Sequence, residues 1–196
     1  MIRWLNLLGW WACAVYSTIP CFWLLIHPRA GYWRSRNRSP YRILLPVWVG
    51  MWVVVAGITA HWRLVIIYEN HWLWIPAATL FGLGIWFYSH SSKDFSARQL
   101  GGLPEVVAGP CEQRLVTTGI RAHVRHPVYL AHLCEMLAWS VGTGLAVCYG
   151  LTMFAMITGA VMIRLEDEEL GQRFGEEYQR YKAQVPAIVP KLVGWE

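Results

Sequence analysis

The sequence predicts an all-α integral membrane protein of about five transmembrane helices, the last two a helical hairpin, with a C-terminal tail on the cytoplasmic side. Three observations carry that expectation. Of 196 residues, 56% are apolar and only 15% charged, where a soluble domain would carry about a quarter charged. The apolar residues fall in runs near the ~20 residues a helix needs to cross the hydrocarbon. Lys and Arg gather in alternate connections between those runs, as the positive-inside rule describes. By size the chain reads as one membrane domain: three transmembrane helices in 1–90, a cytoplasmic loop in 91–125, the hairpin in 126–163 and the tail in 164–196.

The first apolar run covers residues 4–26 and stops at His27-Pro28. It has no small-residue cleavage site and is long enough to span, so it reads as a retained helix. The second run covers 43–68 and the third 72–88, with only Glu69-Asn70-His71 between them, which predicts an antiparallel hairpin. Trp62, Trp72 and Trp74 surround that turn, where aromatic rings favour the membrane–water interface. After Pro127 the chain stays apolar to Ile163, with Gly142-Thr143-Gly144 near the middle. That predicts two shorter helices, each marginal for a full crossing; one bent helix is the alternative.

The basic residues set the topology. Arg29, Arg34, Arg36, Arg38 and Arg42 follow the first span; Lys93, Arg98, Arg114, Arg121 and Arg125 follow the third; Arg164, Arg173, Arg180, Lys182 and Lys191 follow the last. Only Arg3 and Arg63 fall at the opposite ends. The N-terminus is therefore expected outside and the C-terminus in the cytoplasm. The same distribution accounts for the net charge of +5 through anionic headgroups, without nucleic acid as a partner. The five cysteines are scattered without a Cys-x-x-Cys pair, which speaks for core packing rather than redox or metal chemistry. No Cys or His cluster has zinc-ligand spacing. Of the seven histidines, none pair mid-membrane on facing helices as a haem would need; a haem- or quinone-binding module is the weakest of the alternatives.

Two cytoplasmic segments hold the chemistry. One is the polar stretch 89–125, with Gly101-Gly102-Leu103-Pro104 inside it; loops this long are usually functional or disordered. It leads into Leu115-Val116-Thr117-Thr118-Gly119-Ile120 and then Val124-Arg125-His126-Pro127-Val128-Tyr129. Pro127 suits the first turn of a helix, where a missing N–H costs nothing. His126 is expected to cap that helix and Tyr129 to sit on its first turn. A polar cap with an interfacial anchor is the plainer alternative. The other segment is the exit Arg164-Leu165-Glu166-Asp167-Glu168-Glu169-Leu170. Arg164 and Glu168, four apart, share a helical face, with Glu166 half a turn away. A solvated helix end is the plainer reading there. Because the last two spans form a hairpin, both segments emerge side by side, bringing a carboxylate, an imidazole, a phenol and a guanidinium together at a helix N-terminus, the layout of a site for a polar, charged cofactor.

At these residues the chain resembles the isoprenylcysteine carboxyl methyltransferase family and its phospholipid-methylating relatives. The resemblance runs from Arg114 to Pro190 and includes Leu115-Val116-Thr117-Thr118-Gly119, Arg125-His126-Pro127-Val128-Tyr129, the acidic exit, Phe174-Gly175-Glu176-Glu177-Tyr178-Gln179-Arg180-Tyr181, and Val185-Pro186 with Pro190. It implies S-adenosylmethionine as cofactor, held by His126, Pro127, Val128 and Tyr129 and by Gln113, Arg114, Leu115 and Val116 through their backbone, beside Gly119. It also implies a glutamate of the exit, Glu166 or Glu168, on the cofactor's amino group, and an arginine, Arg164, facing a lipophilic acceptor. Arg164 and Glu168 are the expected catalytic pair, Glu168 also serving an amine acceptor that must lose a proton. The chain departs from the family at Arg121, where an aromatic residue is common. The acceptor is left open between carboxylate, thiol and amine, and no small-xxx-small stripe sets an oligomeric state. Sterol reductases, which use NADPH, share a similar pattern but show Asn-Tyr after the proline; Val128 and His132 stand near the places of their Asn and acid, with Glu135 a turn further on.

Overall fold

The computed structural model describes residues 2–35, 41–93 and 115–190. Cys111, Gln113, Arg114 and the Gly/Pro stretch at 101–104 lie outside them. Among the described residues the regular elements are helices, joined at one point by an isolated β-bridge between Ile66 and Leu145.

The first run is broken. Helix α1 (Ile2–Ser17) gives way to α2 (Ile19–Ile26) at a step where Ser17 and Thr18 turn their hydroxyls back onto the carbonyls of Ala14 and Val15, at 2.9 and 2.7 Å. Pro20, in the first turn of α2, removes a further N–H from the helical ladder. A short turn and helix α3 (Ala30–Arg34) follow. Helix α4 (Tyr41–Thr59) ends in a 3-10 turn at Ala60–Leu64, earlier than the run to Tyr68 suggested. The remaining apolar residues are β-branched, and they extend and pair instead. Ile67 donates its N–H to Gly144 at 2.8 Å, and Val65 accepts from Ala146 at 3.0 Å. Helix α5 (Trp74–Lys93) runs past the expected end, its serines bonding back onto preceding carbonyls.

Helix α6 (Pro127–Thr143) and helix α7 (Ala146–Phe174) are two helices, not one bent one. Gly144 is left-handed at φ +64° and Leu145 is extended, so the ladder stops between them. Three contacts fix the pairing: His126 with Glu166, Tyr129 with Met162, Ser140 with Thr152. The residue numbers advance on one helix as they fall on the other, which is an antiparallel hairpin. Helix α5 lies along the other face of α6, where glycines allow close approach. A Cβ at Gly84 would meet the Glu135 side chain at 2.8 Å, and one at Gly142 the Trp74 ring at 2.8 Å. The main core joins Trp10, Cys13 and Ala14 of α1 to Ala56 of α4, Met136 of α6 and Cys148 and Leu151 of α7.

Among the described residues, four segments are long and apolar enough to cross a membrane: Arg3–Arg29, Tyr41–Leu64, His71–Lys93 and Ala146–Phe174. The expected count of about five is not reached, because α6 has only 17 residues and sits packed between α1, α5 and α7. The outward faces suit a lipid surround. Ile43, Leu45, Val47, Val49, Val53, Val54 and Ile58 of α4 are all exposed. In water each would forgo roughly 1.5–3 kcal/mol of burial; in hydrocarbon that cost vanishes.

Candidate functional site at the open end of the α6–α7 hairpin

The chain approaches α6 through a short 3-10 turn, Gly119–Ala122, which Gly119 opens with φ +60°. It then meets the C-terminal tail edge to edge. The N–H groups of Arg125 and His126 donate to the carbonyls of Pro186 and Ala187 at 2.9 and 3.0 Å. Helix α8 (Glu176–Gln184) brings the tail to that point. Its Tyr178 and Tyr181 are buried with Val185 against Leu115, Leu170 and Phe174. The Tyr181 hydroxyl reaches back to the Arg121 carbonyl at 2.7 Å, and burial pushes that phenol up to about 12. Tail and approach segment therefore close over the hairpin as one unit.

Asp167 of α7 is the hub beneath them. It is 5% exposed and gathers Arg125 Nη2 at 2.8 Å, Lys182 Nζ at 3.2 Å, His126 Nε2 at 3.4 Å and the Tyr178 hydroxyl. Arg125 spends its other terminal nitrogen on the carbonyls of Lys182 and Val185. One guanidinium thus ties the start of α6 to the acid of α7 and to the tail. The Tyr178 phenol is held well above its ordinary range, first by burial and then by the carboxylate it donates to.

His126 stands at the N-cap place of α6 with Pro127 following, but its side chain caps nothing. The expected cap is corrected by a stronger attraction: the ring turns onto α7, between two carboxylates. Nε2 faces Asp167, and Nδ1 lies 3.3 Å from Glu166 Oε2. That oxygen is buried and has no hydrogen bond among the described residues, so the contact is Coulombic, out of line for a hydrogen bond. A neutral imidazole offers one donor and one acceptor; between two anions only the doubly protonated ring suits both sides. Burial works against the charge, yet Glu166 and Asp167 outweigh it and hold the His126 pKa above 6.5. The sign of the linkage follows. A raised folded pKa contributes stability that is complete below about 6.5, the unfolded value, and is lost as pH rises through the folded value. Thermal melting of the solubilised protein is expected to show a decline across that window which His126→Gln abolishes.

The other expected site residues are placed as follows. Pro127 is buried, and Val128 and Tyr129 are half-buried, with the Tyr129 hydroxyl donating to Met162 Sδ at 3.3 Å. Leu115 packs under the tail, Val116 is half-buried beside it and Gly119 is exposed. Glu166 joins the cluster. Glu168 is exposed and takes no part in it, while Arg164 is exposed but borders a cavity. Asp167, Arg125 and Tyr178 were not singled out as site residues. The signal for Asp167 was present: it falls in register with Ile163, Leu170 and Phe174, the packed side of α7, whereas Glu168, the next residue, is turned away from that side into solvent.

The cavity, about 450 Å³, lies between α1, α2, α6, α7 and the tail. Its walls are mostly apolar, from Ile19, Leu133, Met136, Met156 and Ile163 among others. Arg125, Asp167 and Arg164 border it together with Tyr129, so the charged hub and the apolar chamber adjoin.

No family model matches the chain, and no solved structure matches it. Curated proteins do. The chain is 36% identical over 89 residues to a protein-S-isoprenylcysteine O-methyltransferase of Homo sapiens, covering 41% of this chain and 28% of that protein. It is 37% identical over 82 residues to protein-S-isoprenylcysteine O-methyltransferase B of Arabidopsis thaliana, covering 39% and 40%. With methanethiol S-methyltransferase 1 of Bradyrhizobium diazoefficiens it shares 35% identity over 80 residues, covering 39% and 26%. The chain thus spans less than half the length of each of these relatives. By that matching stretch it is related to the isoprenylcysteine carboxyl methyltransferase family of integral membrane methyltransferases.

Proposed function

We propose that this protein is an S-adenosylmethionine-dependent methyltransferase acting on a lipophilic acceptor at the cytoplasmic membrane interface. The observation that carries the reading is the His126 ring clamped between Glu166 and Asp167 beside an apolar cavity. The residues fit the cofactor. Glu166 keeps a buried oxygen without a hydrogen bond, which suits an ammonium group, and the His126 ring holds that carboxylate in place. Glu166 is therefore preferred over Glu168 for the amino group. When bound, S-adenosylmethionine supplies an electrophilic methyl on a sulfonium.

The chain's own task is then alignment and exclusion of water. Arg125 and Asp167 lock the tail over the site, and the aliphatic walls hold the apolar part of an acceptor. Arg164, at the cavity's border, is placed to pair with an anionic acceptor such as a carboxylate or thiolate; the exposed Glu168 is set aside as the base. The basic residues near the α5, α6 and α7 ends support a cytoplasmic position for this site.

Isothermal titration of detergent-purified protein with S-adenosylhomocysteine, with NADPH alongside, tests the reading. Saturable S-adenosylhomocysteine binding is expected, weakened about tenfold or more by Glu166→Gln, which removes a charge-assisted contact of about 1.5–3 kcal/mol, and weakened by His126→Ala, which releases Glu166 and Asp167 from the ring that holds them. Binding of NADPH in its place, or of neither, would overturn methyl transfer.

A further inference from the structure

We propose that His132 selects the acceptor: it hydrogen-bonds a hydroxyl or N–H group carried within an otherwise apolar ligand. The proposal rests on the cavity being the acceptor site. His132 lines that cavity one turn along α6 from Tyr129. Its Nδ1 is shut off from solvent and has no hydrogen-bond partner among the described residues. The Tyr16 ring stands 5.2 Å away and the Tyr88 ring 6.5 Å, centroid to centroid, so α1 and α5 both press on the imidazole without bonding to it. Glu135, the next polar residue on α6, is engaged elsewhere. Its stem lies against Gly84 of α5.

A neutral imidazole carries one N–H donor and one bare acceptor. Buried polar groups in folded proteins are almost always bonded, and a bare one inside an apolar chamber is costly. A hydrocarbon filling this cavity would leave His132 bare in the bound state. A ligand with a hydroxyl or N–H near the reacting end would satisfy it. Sites built to bond a polar group reject the analogue that lacks it far more sharply than apolar pockets reject an extra methylene. His132 thus divides lipophilic acceptors by hydrogen-bonding capacity rather than by size.

The test uses the full chain in lipid nanodiscs, titrated with hexanethiol and with mercaptohexanol, each corrected for partition into protein-free nanodiscs. Wild type is expected to bind mercaptohexanol about tenfold more tightly, equivalent to about 1.4 kcal/mol. His132→Phe should erase the preference by weakening mercaptohexanol alone. His132→Gln, which keeps a donor and an acceptor, should retain part of it and serves if the phenylalanine variant does not fold. Equal affinity for the two thiols in wild type, a preference that survives His132→Phe, or no saturable thiol binding would each overturn the proposal. S-adenosylhomocysteine titrated in the same nanodiscs separates the causes. Its binding without thiol discrimination removes the role of His132 alone, whereas its failure to bind removes the methyltransferase reading itself.

Discussion

Replacing Asp167 by asparagine is expected to lower stability by about 3–5 kcal/mol, the usual cost of breaking a buried ion pair by removing one partner. The substitution keeps the shape and deletes the charge, leaving the Arg125 guanidinium, 8% exposed, beside a neutral amide. Lys182 loses less, since its side chain is 42% exposed and can return to solvent. Binding of S-adenosylhomocysteine should fall with stability, because Asp167 anchors both the His126 ring and, through Arg125 and Tyr178, the tail that closes the site. Thermal melting and titration on the same purified variant check both effects. A melting temperature within a degree of wild type would show that the hub carries no folding energy. Glu168→Gln is the contrasting change: the residue is exposed and outside the cluster, so it should leave both measurements near wild type.

Gly144→Ala is expected to be the most damaging change far from the site. The residue is left-handed, and an added Cβ would lie 2.3 Å from the Tyr68 carbonyl oxygen and 2.9 Å from its ring. The backbone conformation alone costs a non-glycine residue about 1–2 kcal/mol. Displacing Tyr68 adds about 1–3 kcal/mol of overpacking. Tyr68 is not free to yield, because its hydroxyl donates to the Val141 carbonyl at 3.1 Å and contacts the Tyr149 hydroxyl. The expected loss, about 2–5 kcal/mol, is read by thermal melting. Tyr68→Phe/Gly144→Ala should be no more stable than the single variant, since the closest clash is with backbone.

Much of the architecture was legible because lipid imposes a simple rule: a crossing segment must be long, apolar and internally bonded. The runs beginning near Trp4, Ile43, Trp72 and Pro127 all became helices, and the break at Gly142-Thr143-Gly144 appeared where the glycines stood. The errors fell where apolarity alone cannot choose a conformation. Val65, Ile66 and Ile67 are as apolar as a helix interior requires, yet they pair with the turn at Gly144–Ala146, a partner nearly eighty residues away and invisible locally. The Ser17-Thr18 step read as part of a continuous span because hydroxyls that bond back to the preceding turn look harmless in an apolar run.

By itself the sequence determined the class of molecule, the hairpin that brings its two polar ends together, and which residues gather there: His126, Tyr129 and the acidic exit of α7. These follow from composition, period and the ordered motif, all properties of neighbouring residues. Only the tertiary structure decided which of the acids meet His126. Rotation of α7 against α6 turned Asp167 and Glu166 inward onto His126 and Arg125 and left Glu168 in solvent. Helix phase at an interface is set by how two whole surfaces pack, and four consecutive acidic residues present every phase at once.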